Sequence, residues 1–291
     1  MRSAFGTIVR YTPFTLLVGV LLLANGAVYA VLYIEESRPP LTVRYLDVGQ
    51  GDATLVEAGN GNRMLIDAGG GAGLTDTVAE YLPFYDQSID VVVITHPHAD
   101  HMNGLAPMLE YVDVGVVLDS GADHQTRTVE QYRAALEGHD ITKLYARRGM
   151  VVRLSEDIII PILFPDRNTS DLDPDNASIW TQVIHGDTRF LFTGDSFVAI
   201  EQYVTLLDGE RLESNVFQAG HHGSRTSNSE DLLQVVAPDR VVVSAGKDNR
   251  HGHPHAEAME SFAAVGAEVL KTFDRGDIVF VSDGERIELV E

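Results

Sequence analysis

Val93-Ile94-Thr95-His96-Pro97-His98-Ala99-Asp100-His101 decides the reading of this chain. The apolar run from Val91 to Ile94 has the look of a buried strand that stops at Thr95. Three His and one Asp then fall within six positions. A tight loop after a strand end aims alternating side chains into one cavity. Imidazole suits zinc, manganese, iron or nickel, and Asp adds a hard oxygen ligand. A histidine-rich surface turn is the alternative, but four potential ligands straight after an apolar strand favour a metal-binding loop.

Outward from this loop, residues 43–46, 53–57 and 63–66 read as strands between Gly-rich turns, with a helix over 75–82. Helices are expected over 102–110 and 129–138, with a strand over 114–118 between them. The second half repeats the style. Strands are expected over 158–163, 179–184, 189–192, 216–218 and 240–244, with helices over 197–206 and 231–236. Pro254 suits the first turn of a helix running to about residue 265. Short strands over 269–272, 278–281 and 286–290 close the chain. Strand clusters followed by αβ units, twice over, predict an α/β (α+β) fold of two packed sheets with helices outside.

The His-x-His-x-Asp-His spacing of residues 96–101 resembles the signature of the metallo-β-lactamase superfamily. Leu65-Ile66-Asp67-Ala68-Gly69 and Phe192-Thr193-Gly194-Asp195 match further motifs of that family in order. Three more stretches narrow it: Leu46-Asp47-Val48-Gly49-Gln50-Gly51-Asp52, Ala219-Gly220-His221-His222-Gly223-Ser224 and Arg250-His251-Gly252-His253-Pro254-His255. Together they resemble the metallo-β-lactamase-like domain of the ComEC competence proteins and its stand-alone relatives, over about residues 41 to 282.

The resemblance implies a four-layer αββα sandwich and two divalent metal ions, zinc or manganese. It implies that His96 and His98 hold metal one, Asp100 and His101 hold metal two, and Asp195 touches both. His221 is then the terminal ligand of metal two with His222 beside it, the reverse order being the alternative. Asp67 would orient a ligand histidine. His253 would face the cavity as a phosphate-binding or proton-donating group, with a helix-capping or structural role as its alternative. Asn176, Ser224 and Asn249 are placed near the ligands or against substrate, Ser224 as a loop or phosphate contact. His124, His139 and His185 stand outside any motif and read as surface or core residues. Many family members have a further His before the bridging Asp; here that region reads Asp175-Asn176-Ala177-Ser178, leaving metal one with three protein ligands.

The implied reaction is hydrolysis by a metal-bridging hydroxide, with Asp100 or Asp195 orienting it and His253 assisting. A phosphodiester is the first choice of substrate, single-stranded DNA among the candidates. A lactonase or carboxyl-ester hydrolase of the same fold is the alternative within enzymes. A non-catalytic cell-surface binding protein is the alternative outside them, and the near-complete ligand set speaks against it.

The 291 residues carry 43 Asp and Glu against 21 Lys and Arg, a formal net charge of -22. Lys occurs only at Lys143, Lys247 and Lys271. A densely acidic, Lys-poor surface fits a halophilic, haloarchaeal source, where salt screens self-repulsion; an acidic protein of an ordinary cell is the alternative. The same charge argues against nucleic-acid binding by a broad basic surface. Without Cys, any metal must be held by His, Asp and Glu. From Tyr11 to Ile34 no residue is charged, while Arg2 and Arg10 precede the run and Glu35 and Glu36 follow it. This predicts a single-pass membrane anchor over 1–34, a spacer over 35–40 and a hydrolase domain over 41–291 outside the cell membrane. A cleavable signal peptide and a secreted protein is the alternative.

Overall fold

The computed structural model describes residues 5–36, 39–71 and 73–290, and within the first helix the side chains of residues 14–29 and 32. The other residues, Arg2 and part of the expected spacer among them, lie outside the described residues. Two units separate, Met1–Arg38 and Pro39–Glu291. In the first, Phe5–Glu36 is a helix of 32 residues. The expected transmembrane helix is not supported: among the described residues, no helix is long and apolar enough to cross a membrane.

In the second unit, Thr54-Leu55-Val56-Glu57-Ala58 is buried at every position, which requires cover on both faces of its sheet. That sheet begins with β1 (Leu41–Tyr45), β2 (Thr54–Ala58), β3 (Arg63–Ile66), β4 (Ser88–Ile94), β5 (Asp113–Asp119) and β6 (Thr142–Tyr145). A second sheet holds β7 (Val151–Arg153), β8 (Ile158–Phe164), β9 (Trp180–His185), β10 (Thr188–Phe192), β11 (Val216–Gln218), β12 (Arg240–Val243) and β13 (Glu268–Lys271). The chain then returns to the first sheet with β14 (Ile278–Ser282) and β15 (Ile287–Leu289). The orders are β15-β14-β1-β2-β3-β4-β5-β6 and β13-β12-β11-β10-β9-β8-β7.

Val43, Val56, Met64 and Val93 from the first sheet pack with Ile160, Val183, Phe190 and Val242 from the second. The other face of the first sheet is covered by the helices Gly73–Tyr81 and Arg127–Gly138 through Leu74, Val78, Val129 and Leu136. The outer face of the second sheet is covered by Val198–Asp208, Glu230–Val236 and Ala256–Ala264 through Val204, Leu232, Leu233 and Phe262. The layers therefore run helix, sheet, sheet, helix. Strands β3 to β6 are parallel, as are β10 to β13. The carboxyl ends of such strands are where α/β folds place ligands.

Three local expectations change. The single helix over 102–110 is two short ones, Ala99–Met102 and Leu105–Met108. Gly104 between them presses on the loop after β3, where a Cβ would lie 2.1 Å from the Ala68 carbonyl oxygen. Pro254 does not open a helix, which starts at Ala256 with His255 as its N-cap. Strands β6 and β7 add edges that the sequence pattern did not mark.

Candidate metal centre

The loops after β4, β10 and β11 and the loop between β8 and β9 meet at the carboxyl ends of the parallel strands. The loop after β4 is fixed by Asp67, whose carboxylate accepts hydrogen bonds from Thr95 N and Oγ1, each at 2.7 Å. Asp67 has φ +60°, a left-handed conformation that is costly for a non-Gly residue and concentrates at functional sites. Thr95 in turn lies 3.1 Å from His96 Nδ1. The strand end thus sets the ring of the first histidine.

One cluster joins His96, His98 and Asp175. His98 Nδ1 lies 2.8 Å and His96 Nε2 3.5 Å from Asp175 Oδ1. Asp195 Oδ2 is 3.8 Å from His96 Nε2. Asp175, quoted in the sequence without a role, thus stands beside two of the expected ligands and offers a further ligand oxygen. No spacing rule marks it among so many acids; its signal was the missing histidine in that stretch.

The second cluster centres on His101 and His222. His101 Nε2 lies 3.3 Å and His222 Nε2 3.7 Å from Asp195 Oδ2, and Asp100 Oδ2 is 3.4 Å from His222 Nε2. The opposite ring nitrogens are backed by carboxylates. Asp67 lies 2.8 Å from His101 Nδ1, and Asp52 lies 3.1 Å from His222 Nδ1. Asp52 also falls within ligand distance of this group, but it faces the Nδ1 edges and so orients the rings. Of the two adjacent histidines, His222 groups with Asp52, His101 and Asp195, which is the alternative order rather than the first. His222 is fully buried among the ligands. His221 lines the pocket, with its ring stacked on Phe197 at 5.9 Å and its Nε2 3.6 Å from Asp195. Both have positive φ, +50° and +56°, and this turn sends consecutive side chains to different places.

Asn176 is not in the pocket: its Oδ1 accepts from Phe197 N at 3.2 Å, bracing the loop beyond Asp195. Ser178, two residues on, accepts from Asp195 N at 3.1 Å. Ser224 is buried and bonded to Thr226 at 2.9 Å, a loop contact. Asn249 lines the pocket and braces its own loop. His253 stands behind the rim, its ring 5.4 Å from His221 and 6.0 Å from His222. His124, read as a surface or core residue, lines the pocket with its ring 5.2 Å from His98. His185 is buried against Ser282, and His139 lies 3.5 Å from Glu110. Arg225 faces Glu257 at 3.7 Å and adds no basic patch.

The charge states of these groups diverge. Burial, with His101 beside it, pushes His96 well below the ordinary histidine range, leaving it a neutral donor. Burial also opposes charge on His101 and His222, but Asp195 and Asp67 for the first, and Asp195, Asp52 and Asp100 for the second, outweigh it and raise both. Burial would raise Asp195, yet His101, His222 and His96 hold it well below the usual carboxylate range. His253 falls to about 4, through burial and then the neighbouring His222 and His221. His101 Nε2, His222 Nε2 and Asp195 Oδ1 are buried with no hydrogen-bond partner. Unpaired buried polar atoms cost free energy, and a cation between two imidazole nitrogens and a carboxylate satisfies all of them. The residues fit divalent metal.

Comparison with known proteins agrees with this geometry. A profile of the Metallo-beta-lactamase superfamily matches residues 46–247. ComE operon protein 3 of Bacillus subtilis (strain 168) is 26% identical over 284 residues, covering 89% of this chain and 36% of that protein. Recombination protein 2 of Haemophilus influenzae is 29% identical over 264 residues, covering 89% and 31%. The chain spans about a third of the length of these relatives. The solved metallo-beta-lactamase fold protein YhfI from Bacillus subtilis superposes with a TM-score of 0.57 at 12% identity, over 84% of this chain and 100% of that one.

Proposed function

The chain belongs to the metallo-beta-lactamase superfamily, and from that premise we propose that it is a metal-dependent phosphodiesterase that cuts a nucleic-acid strand. The observation that carries the reading is the pair of ligand clusters meeting at Asp195, with buried ring nitrogens left unpaired. The relative named as a recombination protein points to DNA as the polymer.

His96, His98, Asp175 and Asp195 would hold one ion, and Asp100, His101, His222 and Asp195 the other, zinc or manganese. Such a pair supplies Lewis acidity and a water of lowered pKa. The protein's own part is orientation. Asp67 and Asp52 turn the Nε2 edges of His101 and His222 toward Asp195, and Ser178 anchors the Asp195 backbone. Asp100, kept ionised by His222 and His101 against the effect of burial, stands at the pocket wall as a carboxylate. His253, depressed to about 4, is neutral near pH 7 and so a weak proton donor. His221 and His124 are better placed to meet substrate, since both line the cavity.

Hydrolysis of bis(p-nitrophenyl) phosphate and of single-stranded DNA, with added manganese or zinc, tests this reading. The double variant His96→Ala/Asp195→Ala is the control, and both activities should vanish in it. Diester hydrolysis that survives in the control sinks the metal assignment. Cleavage of esters or lactones without any diester cleavage moves the assignment to the carboxyl-ester alternative. A location outside the cytoplasm, argued from Arg2 and Arg10 before the apolar run and Glu35 and Glu36 after it, belongs to the same proposal; cell fractionation tests it.

A further inference from the structure

The cavity over the metal centre encloses about 720 Å³. That lies within the range of pockets that bury a drug-sized ligand and exceeds what one phosphate fills. Three carboxylates line it, Asp100, Asp175 and Asp195, and each stands among the ligand clusters. Among the described residues, one Lys or Arg lines it: Arg250. The chain has twice as many acidic as basic residues, yet no described carboxylate lies within ion-pair distance of this guanidinium. Its Nε donates instead to His251 Nε2 at 2.9 Å.

The loop that carries this pair is held in shape. Asn249 Oδ1 accepts from His251 N at 3.1 Å and from His253 N at 3.0 Å, while its Nδ2 donates to Gly246 O at 2.9 Å and His253 O at 2.6 Å. Gly252, at φ +73°, closes the turn in a conformation that suits glycine. The ring of His251 stacks on that of His253 at 5.5 Å, and His253 lies 6.0 Å from His222. Arg250 and His251 are thus two rings out from a metal ligand, at the mouth of the same cavity. An exposed guanidinium at that place, with no ion-pair partner among the described residues, suits an anion, because its planar fork binds phosphate by charge-assisted hydrogen bonds.

We propose that Arg250 and His251, braced by Asn249, form a second anion subsite. It takes a phosphate neighbouring the one held at the metals, so the preferred substrate is a polynucleotide chain rather than an isolated diester. This rests on the phosphodiesterase reading above and adds a requirement for at least two phosphates.

The test uses the full chain, with Arg250→Gln and Arg250→Lys beside the unchanged protein. Hexathymidylate and bis(p-nitrophenyl) phosphate are compared in manganese. Arg250→Gln should raise KM for hexathymidylate about tenfold with little change in kcat, through loss of one phosphate contact. The salt dependence of that KM should fall by about one charge. The single diester should be cleaved within twofold of the unchanged protein, and Arg250→Lys should recover much of the loss. Equal loss on both substrates, or no loss on hexathymidylate, overturns the subsite. If the unchanged protein cleaves neither, the phosphodiesterase reading has failed by itself. Fluorescence anisotropy of labelled hexathymidylate then decides the subsite: about tenfold weaker binding by Arg250→Gln upholds it, and equal binding overturns it.

Discussion

His221 and His222 are neighbours in the chain with opposite surroundings. His222 is buried between Asp52 and the Asp195 side of the pocket, whereas His221 is partly open and stacked on Phe197. His222→Ala should therefore lose about one equivalent of bound metal, and His221→Ala should keep both; elemental analysis of the purified variants reads the difference. Asp67→Asn keeps the shape but weakens the bond to His101 Nδ1 and the clamp on Thr95. Metal affinity should fall roughly 10–100-fold, the usual effect of removing a carboxylate behind a ligand histidine. The grouping of His96, His98, Asp100 and His101 was legible because four ligand types crowd six positions after an apolar strand. The choice between His221 and His222 was not, because it turns on two left-handed residues that spacing does not encode. Asp175, one acid among 43 Asp and Glu, was marked only by the missing histidine in its stretch.

Among the elements, the helix Val198–Asp208 does more than cover the second sheet. Its buried Glu201 accepts from Asn228 N at 2.6 Å and Ser229 N at 2.8 Å. Asn228 in turn bonds Gly220 N, Gly220 O and Ser224 O, and so ties down the turn that carries His221 and His222. Glu201→Ala should cost about 1–3 kcal/mol by leaving buried donors unpaired, read as a lower urea midpoint, and should loosen metal binding as well. Gly104→Ala should cost about 1–3 kcal/mol by forcing apart two backbones that touch; an unchanged urea midpoint would show that this contact is not as tight as described. The apolar strands β2, β4, β10 and β12 were legible from their composition. β6 was not, since Thr142-Lys143-Leu144-Tyr145 is largely exposed at a sheet edge and has neither an apolar run nor an alternating pattern.

For the whole molecule, charge and metal load set the conditions of stability. A net charge of -22 repels itself, and the screening length falls from about 10 Å at 0.1 M salt to about 3 Å at 1 M. The melting temperature should rise by several degrees between these salts, at roughly 2–4 °C per kcal/mol for a domain of this size. A flat or falling Tm would remove the halophilic reading. His101 and His222 have pKa values raised above the ordinary histidine value of about 6.5. Without metal, the stability they contribute as imidazolium is fully present below that value and is lost as pH rises through the raised values. A metal needs both rings deprotonated, so its affinity should climb at least tenfold from pH 6 to pH 8. Isothermal titration at the two pH values checks this, and an affinity that does not change with pH would mean that the rings carry no competing proton.

Each ligand cluster draws on both sheets: His96, His98, Asp100 and His101 from the loop after β4, and Asp175, Asp195 and His222 from loops of the other sheet. A chain without cysteine has no disulfide to staple one half to the other. An ion shared by His96 and Asp195 would be such a staple, closing a loop of about a hundred residues across the sandwich. The two halves would then part only after the ion leaves, so chelation, more than heat, would set the rate at which this protein comes undone.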